Sequence, residues 1–440
     1  MTNDSPGDAD VLIVGGGPAG STAAILLAEA GHRVVLIEKA RHPRFHIGES
    51  LLPANLPLFE RLGVAAQIRA MAMEKRGAEF VSPWHGRAET FQFAEAWNKT
   101  QPYAYQVRRS VFDEILIRRA AQQGATVIEG CRAQTVAFRN PPSGVRVVAE
   151  LEDGTSVSLA ARFLIDASGR DTLLANHFGI KRRNRKHSSA AIFGHFKGAK
   201  RHAGQRAGNI SIYWFEHGWF WFIPLADGAT SIGAVVWPYY LKSRKVAVSE
   251  FFLNTIQLCA PLAERLQGAA LISDVEATGN YSYVADRCHG NHYLLLGDAY
   301  AFIDPVFSSG VWLAMNSAVA GAAVVDASLR DPQREPAATK HFAQVMRHGP
   351  RSFSWFIYRL TSPAMRELFM HPKNPLRMKE ALLSVLAGDI FGRTPIWLSL
   401  TAFKAVYYAT ALLNLRSSLG AWRRRRHHLR QSHRDAVARR

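Results

Sequence analysis

The chain has 440 residues, is 48% hydrophobic and carries a formal net charge of +19 at neutral pH. That length and apolar content exclude a disordered chain and allow two or three lobes around sizeable cores. Cys131, Cys259 and Cys288 lie far apart with no C-x-x-C spacing, which argues against a disulfide framework or a structural zinc site and fits a reducing, cytoplasmic setting.

The N-terminus opens on Asp4, Asp8 and Asp10 and has no basic segment, so no signal peptide is expected. Residues 11–14 read as a short strand, 15–20 as a tight turn, 21–30 as a helix and 34–37 as a second strand ending at Glu38. Within this unit stand Gly15, Gly17 and Gly20, with an acid eighteen residues beyond the last. Glycine lets backbone approach a pyrophosphate, a helix N-terminus favours its charge, and the acid accepts ribose hydroxyls, so the unit predicts dinucleotide binding.

Further along, Arg109-Ser110-Val111-Phe112-Asp113 begins a helix, and residues 163–170 read as a strand running into a turn. Strands at 145–151, 210–214 and 231–237 suggest a second, sheet-rich lobe. Between them lies Trp219-Phe220-Trp221-Phe222-Ile223-Pro224. At a strand's period of two, Trp219, Trp221 and Ile223 share one face and Phe220 and Phe222 the other, so both faces need apolar cover. Residues 293–296 form another buried strand before Gly297-Asp298, and beyond about residue 335 the pattern is helical. Aromatic residues there, including Phe353, Trp355, Phe356, Tyr358 and Phe369, suit either a long hydrophobic cleft or a helical core. Residues 396–415 are apolar but carry Lys404 and several hydroxyls, which favours an amphipathic or core helix over a membrane span. From Arg416 to Arg440 the chain contributes +8 of the total charge, and residues 181–186 add five more positive charges. The tail fits either a solvated segment or contact with anionic lipid at the inner face of a membrane; no nucleic-acid motif accompanies it.

Taken together, Gly15 to Gly20 with Glu38, Arg109-x-x-Phe112-Asp113, Asp166-Ala167-Ser168-Gly169 and Gly297-Asp298 resemble the FAD-binding elements of the aromatic hydroxylase and halogenase superfamily. Three further segments are similar to flavin-dependent halogenases of the phenol and pyrrole branch. These are W-x-W-x-I-P at 219–224, F-x-x-P-x-x-S-x-G from Phe302 to Gly310, and K-x-G-A-x-F from Lys75 to Phe80. Phe307 stands where tryptophan halogenases have a glutamate, which argues against free tryptophan as substrate.

The resemblance implies an α/β fold: a Rossmann-like FAD-binding lobe (roughly 8–75, 105–180 and 280–335) interleaved with a sheet-rich substrate lobe (76–104 and 185–279). These make up a module over 1–335, followed by helices over 336–415 and a basic tail over 416–440. It assigns FAD contacts to Gly15, Gly17, Ala19, Gly20, Glu38, Lys39, Arg44, Ile47, Gly48, Ser50, Arg109, Asp298, Pro305 and Gly310. Halide falls to Ser308, Ser309 and Gly310, and no metal is expected. Lys75 is the implied catalytic amine, with Trp219 and Trp221 keeping the organic substrate from the flavin. Reduced FAD from a separate reductase would meet oxygen to give a hydroperoxide, which chloride or bromide attacks to form hypohalous acid for an electron-rich phenol, pyrrole or aryl polyene, free or on an acyl carrier protein. Glu79, His46 and His195 are bases to consider for the ring proton, and Asp304 is a flavin neighbour to consider. The same fold also serves aromatic monooxygenases using NAD(P)H, isoprenoid-lipid reductases and noncatalytic docking proteins.

Overall fold

The computed structural model describes residues 9–138, 144–184, 186–279, 282–392 and 394–437, with side chains to 429. Two sheets alternate along the chain. The first begins with β1 (Ala9–Val14), α1 (Pro18–Glu29) and β2 (Val34–Glu38). β3 (Gly77–Ser82) then starts the second sheet, after which α2 (Arg109–Gln122), β4 (Thr126–Glu129) and β5 (Ser156–Asp166) return to the first. β6 (Ala190–Lys197), β7 (Ile210–Phe215), β8 (Gly218–Pro224) and β9 (Ala229–Val236) complete most of the second, and β10 (Tyr293–Leu295) goes back to the first.

In the first sheet the order is β10-β5-β1-β2-β4, every pair parallel, with Val14 opposite Asp166 and Ile13 opposite Leu36. Helices cover such a sheet, so residues 11–14 of β1 are a continuous apolar run and all buried. The strand Val145–Leu151 pairs antiparallel with β5 and therefore belongs to this sheet, apart from the strands at 210–214 and 231–237 with which the sequence pattern grouped it.

The second sheet runs β6-β9-β8-β7-β3, antiparallel except for β7 beside β3. Along β8 the expected alternation holds: Trp219, Trp221 and Ile223 join one core, and Phe220 and Phe222 join another on the reverse face. Helix α3 (Gly310–Arg330) leaves the junction of the two lobes. Among the described residues it is the one helix long and apolar enough to cross a bilayer, yet 67% of its apolar stretch is buried inside the protein. Phe353, Phe356 and Phe369 are buried core residues, which resolves the sequence alternatives in favour of a helical core. The chain closes with α4 (Trp397–Leu413) and α5 (Leu415–Val437), so the described part of the basic tail is helical. Residues 438–440, the end of that tail, lie outside the described residues.

Candidate active site

Parallel strands end at one edge, and ligands bind beyond that edge where the strand order reverses. Here the segments following β1, β2, β5 and β10 meet in a cleft of about 1180 Å³ that continues to β8 and the start of α3. Gly15 has φ +106°, and a Cβ there would stand 2.3 Å from the Ala167 carbonyl oxygen. A Cβ on Gly20 would lie 1.8 Å from the Gly15 oxygen, so this glycine serves the turn's packing. Of the expected cofactor residues, all but Gly20 line the cleft. Gly17 caps α1, and Pro18, whose missing N–H costs nothing in a first turn, helps aim the helix N-terminus at the cleft.

Glu38 is buried at the end of β2, where its carboxylate accepts from the Gly16 N–H at 2.7 Å and the Ala40 N–H at 3.0 Å. Arg109 spends most of its fork on structure. It donates to Asp113 at 2.8 and 2.9 Å and to the Ile47 carbonyl at 3.0 Å, pinning the 44–50 loop to α2. Arg44 adds a bond to Asp113 at 3.3 Å. This makes Asp113, quoted in the sequence motif without a role, the residue that holds both arginines. Lys39 pairs with Asp171 at 2.5 Å across the cleft mouth. On the far side, withdrawal from water pushes the Asp298 carboxyl up to about 7 against the opposing pull of Arg109 and Arg170.

The turn before α3 has the shape of an anion site. Ser308 is left-handed at φ +56°, Ser309 is the cap, and Gly310 is the first helical residue. The first bond back to this cap comes from the Leu313 N–H to the Ser309 carbonyl at 2.9 Å, so the earlier N–H groups have no partner within the helix. The buried Ser309 hydroxyl also has no hydrogen-bond partner among the described residues. Beside the turn, Asp304 accepts from Ser189 Oγ and bonds His187 Nε2, both at 3.0 Å.

Trp219, Trp221 and Ile223 form a wall of the same cleft. Trp221 Nε1 donates to Ser231 Oγ at 3.1 Å, and its ring lies over Gly233, where a Cβ would come within 2.1 Å of it. Lys75 is 2% exposed and its Nζ donates to Ser50 Oγ and the Leu51 carbonyl, each at 3.0 Å, with the Phe93 ring 5.2 Å away. Burial lowers its pKa to about 7. Ser50 lines the cleft, whereas Lys75 stands behind it.

The three bases considered from sequence separate. His46 lines the cleft, donates from Nδ1 to the Ile47 carbonyl at 2.7 Å, and is lowered by burial and by Arg109 to about 4. His195 is instead buried against Glu49, at 3.0 and 3.1 Å, and does not line the cleft. Glu79 points to the reverse face of the sheet, where it accepts from Ser211 at 2.6 Å and bonds His202 at 2.9 Å. Strand alternation decides this, since Ala78 and Phe80 occupy the cleft-side core.

The FAD binding domain family matches residues 8–334. A 1H-pyrrole-2-carbonyl-[peptidyl-carrier protein] chlorinase from Pseudomonas fluorescens is 30% identical over 410 residues, covering 87% of this chain and 90% of that protein. The chain belongs to the flavin-dependent halogenases. Another halogenase relative, a tryptophan 2-halogenase from Chondromyces crocatus, is 35% identical over 343 residues; the match covers 77% of this chain but only 65% of that longer protein. Among solved halogenase structures, the myxobacterial chondrochloren halogenase CndH superposes with a TM-score of 0.77 at 32% identity, covering 89% of this chain and 92% of that one. The cofactor is therefore FAD, and the glycine turn, Glu38 and the cleft's size fit it.

Proposed function

We propose that this halogenase places chloride or bromide on an electron-rich aromatic of the phenol, pyrrole or aryl polyene type, free or tethered to a carrier protein, using FAD reduced by a separate reductase. The observation that carries this reading is the buried amine of Lys75, bonded through Ser50 to the wall of the cleft that also contains the Ser308–Gly310 turn. Bound FAD supplies the redox chemistry that activates oxygen and oxidises halide to the level of hypohalous acid.

The chain's residues hold and direct that chemistry. Of the residues lining the cleft, Glu38 would hold the adenosine ribose, Arg44 and the loop pinned by Arg109 would hold the cofactor in place, and Asp298 would accept from one of its hydroxyls. The free N–H groups of Ser309 and Gly310 hold the halide at the positive end of α3. Trp219 and Trp221 fill the space between cofactor and substrate, so the aromatic meets only the oxidised halogen. Lys75, with a pKa near neutrality, either hydrogen-bonds the hypohalous acid as an ammonium or, as a neutral amine, takes the halogen from it as the oxygen–halogen bond breaks and water leaves. His46 stays neutral at working pH but is too weak a base to be the preferred acceptor of the ring proton.

The test is mass spectrometry of a phenol and pyrrole panel incubated with enzyme, reductase, NADH, oxygen and halide. A halide-dependent mass gain is expected, reduced about 10²- to 10⁴-fold in Lys75→Ala with FAD uptake retained. Oxygen incorporation that needs no halide would assign the protein to aromatic hydroxylation instead.

A further inference from the structure

We propose that the helical hairpin of α4 and α5 is a docking surface for an anionic lipid membrane. Its inner side is tied to the body. Arg425 donates to the Lys186 carbonyl at 2.8 Å, the His428 ring stacks on Tyr239 at 4.1 Å, and Phe403 and Tyr407 are buried in the helical core. The hairpin is thus a fixed feature of the surface.

Its outer side is apolar where an ordinary surface is polar. Of the eighteen large hydrophobic residues that are exposed among those described, nine lie between Trp397 and Trp422. Leu412 and Leu413, 69% and 88% exposed, project at the corner between the helices, and Leu398 is 79% exposed on α4. On α5, Leu415, Leu419 and Trp422 follow one another at four- and three-residue spacing, so they form a single outward stripe. Arg416, Arg423 and Arg426 are exposed alongside it, and the Arg426 guanidinium lies 5.1 Å over the Trp422 ring. Between residues 390 and 434 there is no aspartate or glutamate, so nothing within this segment neutralises that charge.

This combination identifies the partner by its chemistry. Arginines around an apolar stripe match anionic headgroups above an acyl layer, where long basic side chains keep their charges in water while leucine and tryptophan enter the boundary. An acidic protein would complement the arginines equally well. The projecting leucine corner, however, calls for an apolar phase that can close around it.

Full-length, FAD-loaded enzyme is to be co-sedimented with vesicles of equimolar phosphatidylglycerol and phosphatidylcholine, and with phosphatidylcholine alone. The wild type is expected to bind the anionic vesicles at least about tenfold more tightly than the neutral ones, and to lose most of that preference in about 0.5 M NaCl. The pair Leu412→Asp/Leu413→Asp and, separately, the triple variant Arg416→Glu/Arg423→Glu/Arg426→Glu should each weaken binding about tenfold or more, with FAD content and circular dichroism unchanged. The second variant keeps the test open should the first misfold. Absence of wild-type binding, equal binding to both vesicle types, or indifference to both variants would overturn the proposal. So would a self-association, or capture of an acidic carrier protein, that the same variants abolish while no vesicle is bound.

Discussion

The core on the reverse face of the second sheet and the core on its cleft side both hold aromatic residues, but the buried charges beside them are treated differently. On the reverse face, beneath Phe220 and Phe222, every prominent charge has a partner. Glu79 bonds Ser211 and His202, while Arg265 donates to Ser211 at 2.9 Å and Tyr213 at 2.7 Å and covers the Phe222 ring at 3.7 Å. On the cleft side, the buried Lys75 at the end of the short strand Met73–Lys75 bonds two neutral oxygens, and burial lowers its pKa. A buried charge that has a partner is compensated in place, so losing the partner is what destabilises the fold. An unpaired one is costly to keep, and its placement beside a cleft points to chemistry.

Substitution on β8 gives the largest test of this contrast. Phe222→Ala should cost about 3–5 kcal/mol in denaturant unfolding, because it empties a fully buried site, and leave the ratio of halogenated to oxygenated product unchanged. Trp221→Ala opens the cleft wall and should produce halide-independent oxygenation. Identical product ratios in the two variants would remove the distinction between the faces.

A pH series on the cofactor-free protein sharpens the contrast at Lys75. Its folded pKa of about 7 lies below the ordinary 10.5, so between these values the unfolded chain binds the proton that the folded chain has released. Stability therefore rises with pH through that window, and below about pH 7 the folded side chain is charged and its full cost is present. Lys75→Met should melt about 5 °C above wild type at pH 6, the gap closing toward pH 10. A gap that stays constant with pH would mean that the amine is not desolvated.

The smallest effect belongs to the paired charge. Glu79→Gln removes charge-assisted bonds and should cost about 1–3 kcal/mol with halogenation within about twofold of wild type. A loss of halogenation as deep as that expected for Lys75→Ala would make Glu79 part of the chemistry and reverse the reading of the sheet.

Much of the cofactor lobe was legible in the chain because its rules are local. Gly15, Gly17, Pro18 and Glu38 lie within one strand-helix-strand unit, so spacing alone implied the turn, the helix start and the acid. The face assignment along β8 was equally local, following from a period of two. Partners distant in sequence were not. Nothing near Val145–Leu151 announces that it pairs with β5, and nothing near Glu79, His195 or Arg109 announces Ser211, Glu49 or the Ile47 carbonyl. A titratable residue's neighbours through space set its role, and those neighbours lie up to 146 residues away.

The basic tail shows the same division. Its charge and the lack of acids were countable from the residues, but composition alone could not tell a loose tail from a helix with one anchored face and one free face. The sequence by itself determined the dinucleotide turn, the alternating aromatic strand and the sign of the C-terminal charge, since each depends on backbone geometry or on simple addition. Tertiary structure alone decided which side of the sheet faces the cleft, that Lys75 is buried behind Ser50, and which leucines stay in water. Those outcomes depend on desolvation and packing between segments, and such free energies arise only when distant parts of the chain meet.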